Sequence, residues 1–205
     1  MINELNFPVV LENGREIAYG GDQDWFPQKF QQNAGCASTT GANLAAYYAK
    51  NDPKCARFYR GNTGRFLKTE YLDCMQELYR YMTPGFMGFP LVNRFARKFV
   101  QFAGEHGGVS VRPHILCRED RPGERIRFVK QAIGGGNPVA LLILRHRAPE
   151  LEEDNWHWVT VTGWIEDAAG DSVIFSDCGR RDIHPMNVVF EPRSENVLRM
   201  AWFSC

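Results

Sequence analysis

The feature that most restricts the fold is a change of hydrophobic period along the 205-residue chain. Up to about residue 133 the apolar residues recur at helical spacing, and beyond it they alternate as in strands. Ala37 to Lys50 carries Leu44, Ala45, Tyr47 and Tyr48, and Asn51-Asp52-Pro53 ends it, because the residue before a proline disfavours helix. Phe66 to Tyr81 repeats with Leu67, Tyr71, Cys74, Met75 and Leu78; Leu91 to Gly104 with Leu91, Phe95, Phe99 and Phe102. Gly123 to Ile133 is a fourth helix, closed by Gly134-Gly135-Gly136, which reads as a C-cap and turn. Predicted strands are Val109–Leu116, Pro138–Leu144, Asn155–Ile165, Val173–Asp177, Val188–Phe190 and Val197–Phe203. Residues 1–20 read as two extended pieces around a turn at Glu12-Asn13-Gly14, and 21–35 and 54–64 as loops. Helices first and an antiparallel sheet after them predict an α+β plan, with no βαβ alternation. The expected organisation is one domain over 1–205, with a helical lobe at about 21–135 and a sheet lobe at about 136–205.

Charge excludes some partners. Twenty-four basic and 24 acidic residues cancel, which removes the cationic excess that nucleic-acid or membrane-surface binding requires. The longest apolar run, Val139 to Leu144, falls far short of the roughly 20 residues that span a bilayer. The N-terminus lacks the cationic start and apolar run of a signal peptide, so a cytoplasmic location is expected. The six cysteines stand at wide spacings with no Cys-x-x-Cys pair, and most are expected as free thiols. His106 and His114 lack partners at ligand spacing, so no metal site and no cofactor are expected.

Three residues carry candidate chemistry. Cys36 stands where the polar stretch Gln31-Gln32-Asn33-Ala34-Gly35 enters a helix. Unpaired N–H groups and the positive end of the helix dipole favour a thiolate there, and the same N–H groups can hold an oxyanion. Gln31 or Gln32 can add a side-chain N–H, and Gly35 permits a tight turn and room for a substrate. A free cysteine elsewhere is most often a small buried hydrophobe. His157 opens the strand His157-Trp158-Val159-Thr160-Val161-Thr162-Gly163, at an end where a general base can meet a thiol. Asp177 closes the next strand, and a hairpin through Glu166–Gly170 returns it toward His157, where a carboxylate fixes the imidazole tautomer. A packed histidine and a plain turn aspartate are the ordinary readings of these two taken singly.

In this order the three residues resemble the papain-like cysteine peptidase superfamily, closest to its bacterial double-glycine-peptidase-like branch, the bacteriocin-processing type. The residues that carry the resemblance are Gln-x-x-x-Gly-Cys from Gln31, Gly-Asn-Pro-Val from Gly136, His157 to Gly163, and Asp177, so it spans about residues 28–178. It implies a papain-like fold, with the nucleophile helix packed on a C-terminal antiparallel sheet. It also implies a cysteine-dependent peptidase or amidase with Cys36 as nucleophile, His157 as base and acid, Asp177 as orienter and Gln31 or Gln32 as oxyanion donor. The chain departs from the pattern at Cys36-Ala37-Ser38, where Cys-Gly-Pro is common, at Phe30, where papain-like enzymes keep glutamine, and at Cys178, where proline is common after the aspartate. A peptide or small amide is the implied substrate. Two other readings stay open: an acyltransferase or transglutaminase-like enzyme on the same triad, and an inactive peptide-binding module.

Further residues qualify the site. Trp156 and Trp158 are candidates for a substrate groove, against the commoner role of aromatics in cores. Arg180, with Arg181, is a candidate clamp for a carboxylate or phosphate, against a solvated turn. Cys178 is a candidate resolving thiol, against a packed one.

Overall fold

In the computed structural model, which describes residues 1–118 and 123–205, one central sheet separates two unequal helical layers. The elements run β1 (Ile2–Glu4), β2 (Val9–Glu12), β3 (Arg15–Tyr19), α1 (Lys29–Ala34), α2 (Cys36–Asn51), β4 (Phe66–Leu67), α3 (Lys68–Tyr81), α4 (Val92–Phe102) and β5 (Arg112–Leu116). There follow α5 (Glu124–Gly134), β6 (Val139–Arg145), β7 (His157–Ile165), β8 (Ser172–Asp177), β9 (Arg180–Pro185), the single turn α6 (Met186–Val189) and β10 (Val197–Ser204). The strand order is β5-β10-β6-β7-β8-β9, all neighbours antiparallel. The α+β plan read from the sequence is the observed one.

Along β7, residues 157–161 pair with β6, and the same edge further on, residues 163–165, pairs with β1. Gly163 makes this possible: a Cβ there would stand 2.7 Å from the Asn3 carbonyl oxygen, so only glycine lets the N-terminal strand close on the sheet. β2, β3 and β4 form a separate small sheet, its hairpin turned by Asn13 and Gly14, both at positive φ.

Alternation divides the sheet's side chains between two cores. Ala140, Leu142, Trp158, Ala201 and Phe203 face α2, α3 and α4, with Phe95 of α4 stacked on Trp158 and Phe99 tilted against Phe203, each at 4.5 Å between ring centres. Leu141, Ile143, Val159, Val161, Val173 and Phe175 face the other way, against Val129, Ala132 and Ile133 of α5 and Met186 and Val189 of α6. β5 and α5 therefore belong to the sheet and its outer layer, although they precede residue 136.

Helix α2 is buried on all sides, from Cys36 through Ala49. Its alanines, together with Ser38 and Gly41, keep it slim enough to lie between α3 and the sheet. Asp52 ends it, capping the next turn through its carboxylate and Lys54 N–H, with Pro53 following.

One polar group crosses this packed layer. The buried Asn43 amide accepts from Gly21 N–H and Tyr71 O–H, each at 2.8 Å, and donates to Thr160 Oγ1 at 3.1 Å and Ser176 Oγ at 3.2 Å. Ser176 in turn donates to the Tyr19 carbonyl at 2.7 Å. Both lone pairs and both protons of the amide are used, so it is fully satisfied although buried.

Several segments differ from the sequence reading, two of them beside the site. The stretch 21–35 is not all loop: Lys29–Ala34 forms α1, about a turn and a half with no buried residue, too short for a periodicity to register. Val188–Phe190 is not a strand: Val188 and Val189 sit in α6, and the strand is the preceding Arg180–Pro185, at the sheet's edge, whose mostly polar and wholly unburied residues give no apolar alternation to read. Arg180 and Arg181 consequently lie in a strand, not in a solvated turn.

Replacing Asn43 with leucine strands four buried polar partners. The expected loss of stability in urea unfolding is about 3 kcal/mol or more, against about 1 kcal/mol for Thr160→Val, which removes a single bond.

Candidate active site

The N-terminus of α2, the start of β7 and the end of β8 meet at one place, and each brings one residue. Cys36 is the first residue of α2, reached from α1 through Gly35. A Cβ on Gly35 would lie 2.4 Å from the Gln31 carbonyl oxygen and 2.6 Å from the Phe26 ring. Its φ of −86° and ψ of 2° lie in the bridge region between helix and strand, which side-chain-bearing residues also reach. Gly35 thus makes the one-residue junction of α1 and α2, and the space its missing side chain leaves is filled by Gln31 and Phe26, not kept as room for a substrate.

β7 and β8 pair antiparallel from Ile165↔Ser172 to Thr160↔Ser176, with a shift of register between Val161 and Gly163. This returns Asp177 to the start of β7, where His157 Nε2 lies 2.6 Å from Asp177 Oδ1. With Nε2 taken by the carboxylate, Nδ1 is the ring nitrogen left to serve Cys36. Burial opposes a charged imidazole at His157. The Asp177 hydrogen bond overcomes it, helped by the nearby thiols of Cys178 and Cys36, and holds His157 well above the ordinary histidine value. Burial likewise works against ionised Asp177, and the His157 bond and charge outweigh it, so its carboxyl is held low. Charged imidazole and carboxylate are the forms this pair favours.

The β8–β9 hairpin fixes Asp177 locally. Asp177 pairs with Arg180 across the two-residue turn Cys178-Gly179, whose φ angles are 44° and 75°. Two consecutive positive φ values match the sheet's twist, and the second residue is the expected glycine. The first is cysteine, in a conformation more natural to asparagine or glycine. Trp156, directly before His157, is also at positive φ (64°), an outlier for so bulky a side chain. Such strain is retained only where the surroundings fix it, here on both sides of the His157–Asp177 contact.

A cleft of about 490 Å³ opens beside Cys36. Its lining includes Phe30, Phe86, Met87, Phe89, Trp156 and Trp158, and no charged residue. Of the ten large apolar side chains exposed among the described residues, four (Phe30, Phe86, Met87 and Trp156) lie here, with Phe86 99 % exposed. Phe86 and Met87 form the tip of a tight turn closed by paired bonds between Gly85 and Gly88 at 2.9 and 3.0 Å. The two tryptophans of the sequence reading divide their work: Trp156 lies open at the rim, while Trp158 is buried, its N–H donated to the Phe89 carbonyl at 2.8 Å.

The remaining expected residues separate. Gln32 is committed: its Nε2 donates to the Phe26 and Asp24 carbonyls, at 2.8 and 3.2 Å, so it holds the approach loop and is not an oxyanion donor. Gln31 keeps a buried side-chain oxygen with no partner among the described residues, and its amide is the uncommitted one. Arg180 lies 3.5 Å from Asp177 and 3.4 Å from Asp182, so two carboxylates occupy the guanidinium that the sequence reading offered to a substrate. Cys178 is not a packed thiol: it is half-buried in the turn, its sulfur 3.9 Å from His157 Nε2. Asn43, Phe86 and Met87 were missed. The first reads as one polar residue inside a helix, and the other two as part of a Pro-Gly-bounded loop; only the spatial convergence marks them.

No family model matches the chain, and no curated protein matches it. Among the described residues, no helix is long and apolar enough to cross a membrane.

The charge linkage predicts a pH profile. Folding lowers the Asp177 value, so its contribution to stability is complete above the unfolded carboxyl range near 3.9 and is lost as pH falls through the folded value. Folding raises the His157 value, so that contribution is complete below about 6.5 and is lost as pH rises through the raised value. Stability from the pair is therefore greatest between about pH 4 and 6.5. Asp177→Asn is expected to flatten this plateau and to lower the His157 titration midpoint, read from the imidazole proton resonances.

Proposed function

We propose that the chain is a cysteine-dependent hydrolase with a papain-like fold, acting on peptide or amide bonds. The observation that carries the reading is the bridging position of His157, bonded to buried Asp177 on one side and facing the first residue of a buried helix, Cys36, on the other. In this reading the Cys36 sulfur attacks the substrate carbonyl while His157 holds the thiol proton. The first-turn N–H groups of α2, with the Gln31 amide, take the negative charge that develops on the carbonyl oxygen. His157 then returns its proton to the leaving amine, and water, deprotonated by the same imidazole, resolves the thioester. Asp177 keeps the ring oriented and stabilises its charged form throughout.

The cleft beside Cys36 gives the substrate a character. A wall of aromatic and methionine side chains without a charge accepts a large neutral apolar residue and rejects a charged one, whose desolvation nothing there repays.

The test is a panel of fluorogenic peptide amides with the native chain and Cys36→Ala. The native chain is expected to cleave substrates with Phe or Leu next to the scissile residue at least tenfold faster, in kcat/KM, than their Glu or Lys counterparts. Cys36→Ala is expected to be inactive. Rapid quenching of the native reaction should trap the acyl group on Cys36 by mass. Cleavage that survives Cys36→Ala would overturn the reading.

A further inference from the structure

The turn that holds Asp177 also puts a second sulfur at the triad. His157 Nε2, the Asp177 carboxylate and Cys178 Sγ all lie within 4.8 Å of one another. The nitrogen–oxygen distance is 2.6 Å and the nitrogen–sulfur distance 3.9 Å. A tetrahedral zinc ion binds nitrogen and oxygen at about 2.0–2.2 Å and sulfur at about 2.3 Å, which places its ligand atoms roughly 3–4 Å apart. The three donors thus need shifts of only a few tenths of an ångström up to about an ångström to share one ion. They are also the right mixture: thiolate, imidazole and carboxylate together suit a borderline metal and leave a fourth position open to water.

Two features set this cluster apart from a chance neighbourhood. Cys178 occupies a positive-φ turn position (44°) that a glycine would take without strain, so the backbone holds a sulfur here against its own preference. The donors are also fixed before any ion arrives. His157 and Asp177 sit on neighbouring paired strands, and Cys178 lies in a two-residue turn whose register is set by the Asp177↔Arg180 pair. Cys178 is partly exposed, which gives an ion a way in.

We propose that His157 Nε2, an Asp177 carboxylate oxygen and the Cys178 thiolate form a binding site for a zinc-class divalent cation, and that its occupation disconnects the orienting carboxylate from His157. The ion displaces the proton between His157 and Asp177 and the thiol proton of Cys178, so binding releases protons to solvent and leaves Cys36 uncoordinated. The site is defined by its donors, whether or not the chain hydrolyses peptides. In the hydrolytic reading it is a reversible off-switch, because an imidazole bound to metal at Nε2 no longer has its carboxylate partner.

Cobalt(II) tests this directly, since a thiolate–cobalt bond gives a near-ultraviolet charge-transfer band. A Cys205→Ser background silences the separate Asp52, Cys55 and Cys205 group, whose donor atoms also lie close together. In that background one band is expected, displaced by one equivalent of zinc. It should persist when Cys36 is also changed to serine. It should be lost in Cys178→Ser and in Cys178→Gly, the glycine suiting the turn so that loss is not mistaken for misfolding, with circular dichroism confirming the fold of both. Asp177→Asn should weaken cobalt binding at least tenfold. A band that survives both Cys178 variants, a band lost with Cys36→Ser, or no band at all would overturn the proposal. None of these readouts depends on hydrolysis, so failure of the hydrolase reading is seen separately in the peptide assay.

Discussion

The geometry of the site rests on one buried amide. Asn43 lies seven residues beyond Cys36, two turns along the same helix face. Its donor bonds end on Thr160, three residues beyond His157, and on Ser176, one residue before Asp177. A helix rotated or slid against the sheet would leave several of these buried groups unpaired, at a cost that apolar packing of the alanine-rich α2 does not impose. Apolar contacts decide that α2 lies on this face of the sheet. The amide decides its register, and with it the position of the thiol against the imidazole.

Turn chemistry does the equivalent work at the other end. Burial disfavours an ionised Asp177, and the His157 bond and charge, with smaller help from Cys178 and Arg180, outweigh it, while the hairpin through Cys178 and Gly179 sets where the carboxylate stands. Trp156 on the opposite flank is held in a conformation it would not choose, and its ring completes the apolar cleft. Backbone strain therefore brackets the histidine–carboxylate contact on both sides. That pattern belongs to a site whose geometry matters more than the few kcal/mol it costs.

Much of this was legible in the residues. The hydrophobic period located α2, α3, α4, α5 and most of the main-sheet strands, since each has a face or both faces in a core. The return of Asp177 to His157 followed from the length of two strands and the turn between them. What the sequence concealed is instructive. Helix α1 is too short to show a period, and β9 is an edge strand whose polar residues read as a turn. The choice between Gln31 and Gln32 depends on which amide the loop carbonyls of Asp24 and Phe26 capture, a contact with no signature in spacing. Asn43 hid for the same reason: a single asparagine in a helix announces nothing until its partners from β7, β8 and α3 are in place. The apolar cleft is assembled from four separate segments, so no local pattern contains it.

The central claim is that His157 activates Cys36, and one measurement addresses it without any substrate. The rate of Cys36 alkylation by iodoacetamide near pH 6 should be compared between the native chain and His157→Ala, with the half-exposed Cys117 as an internal reference. An ordinary thiol, with a pKa of about 8.5, is almost wholly protonated at that pH and reacts slowly. The account predicts that Cys36 reacts at least tenfold faster than Cys117 in the native chain and that His157→Ala removes the advantage. Equal rates of Cys36 alkylation in the native chain and in His157→Ala would contradict it.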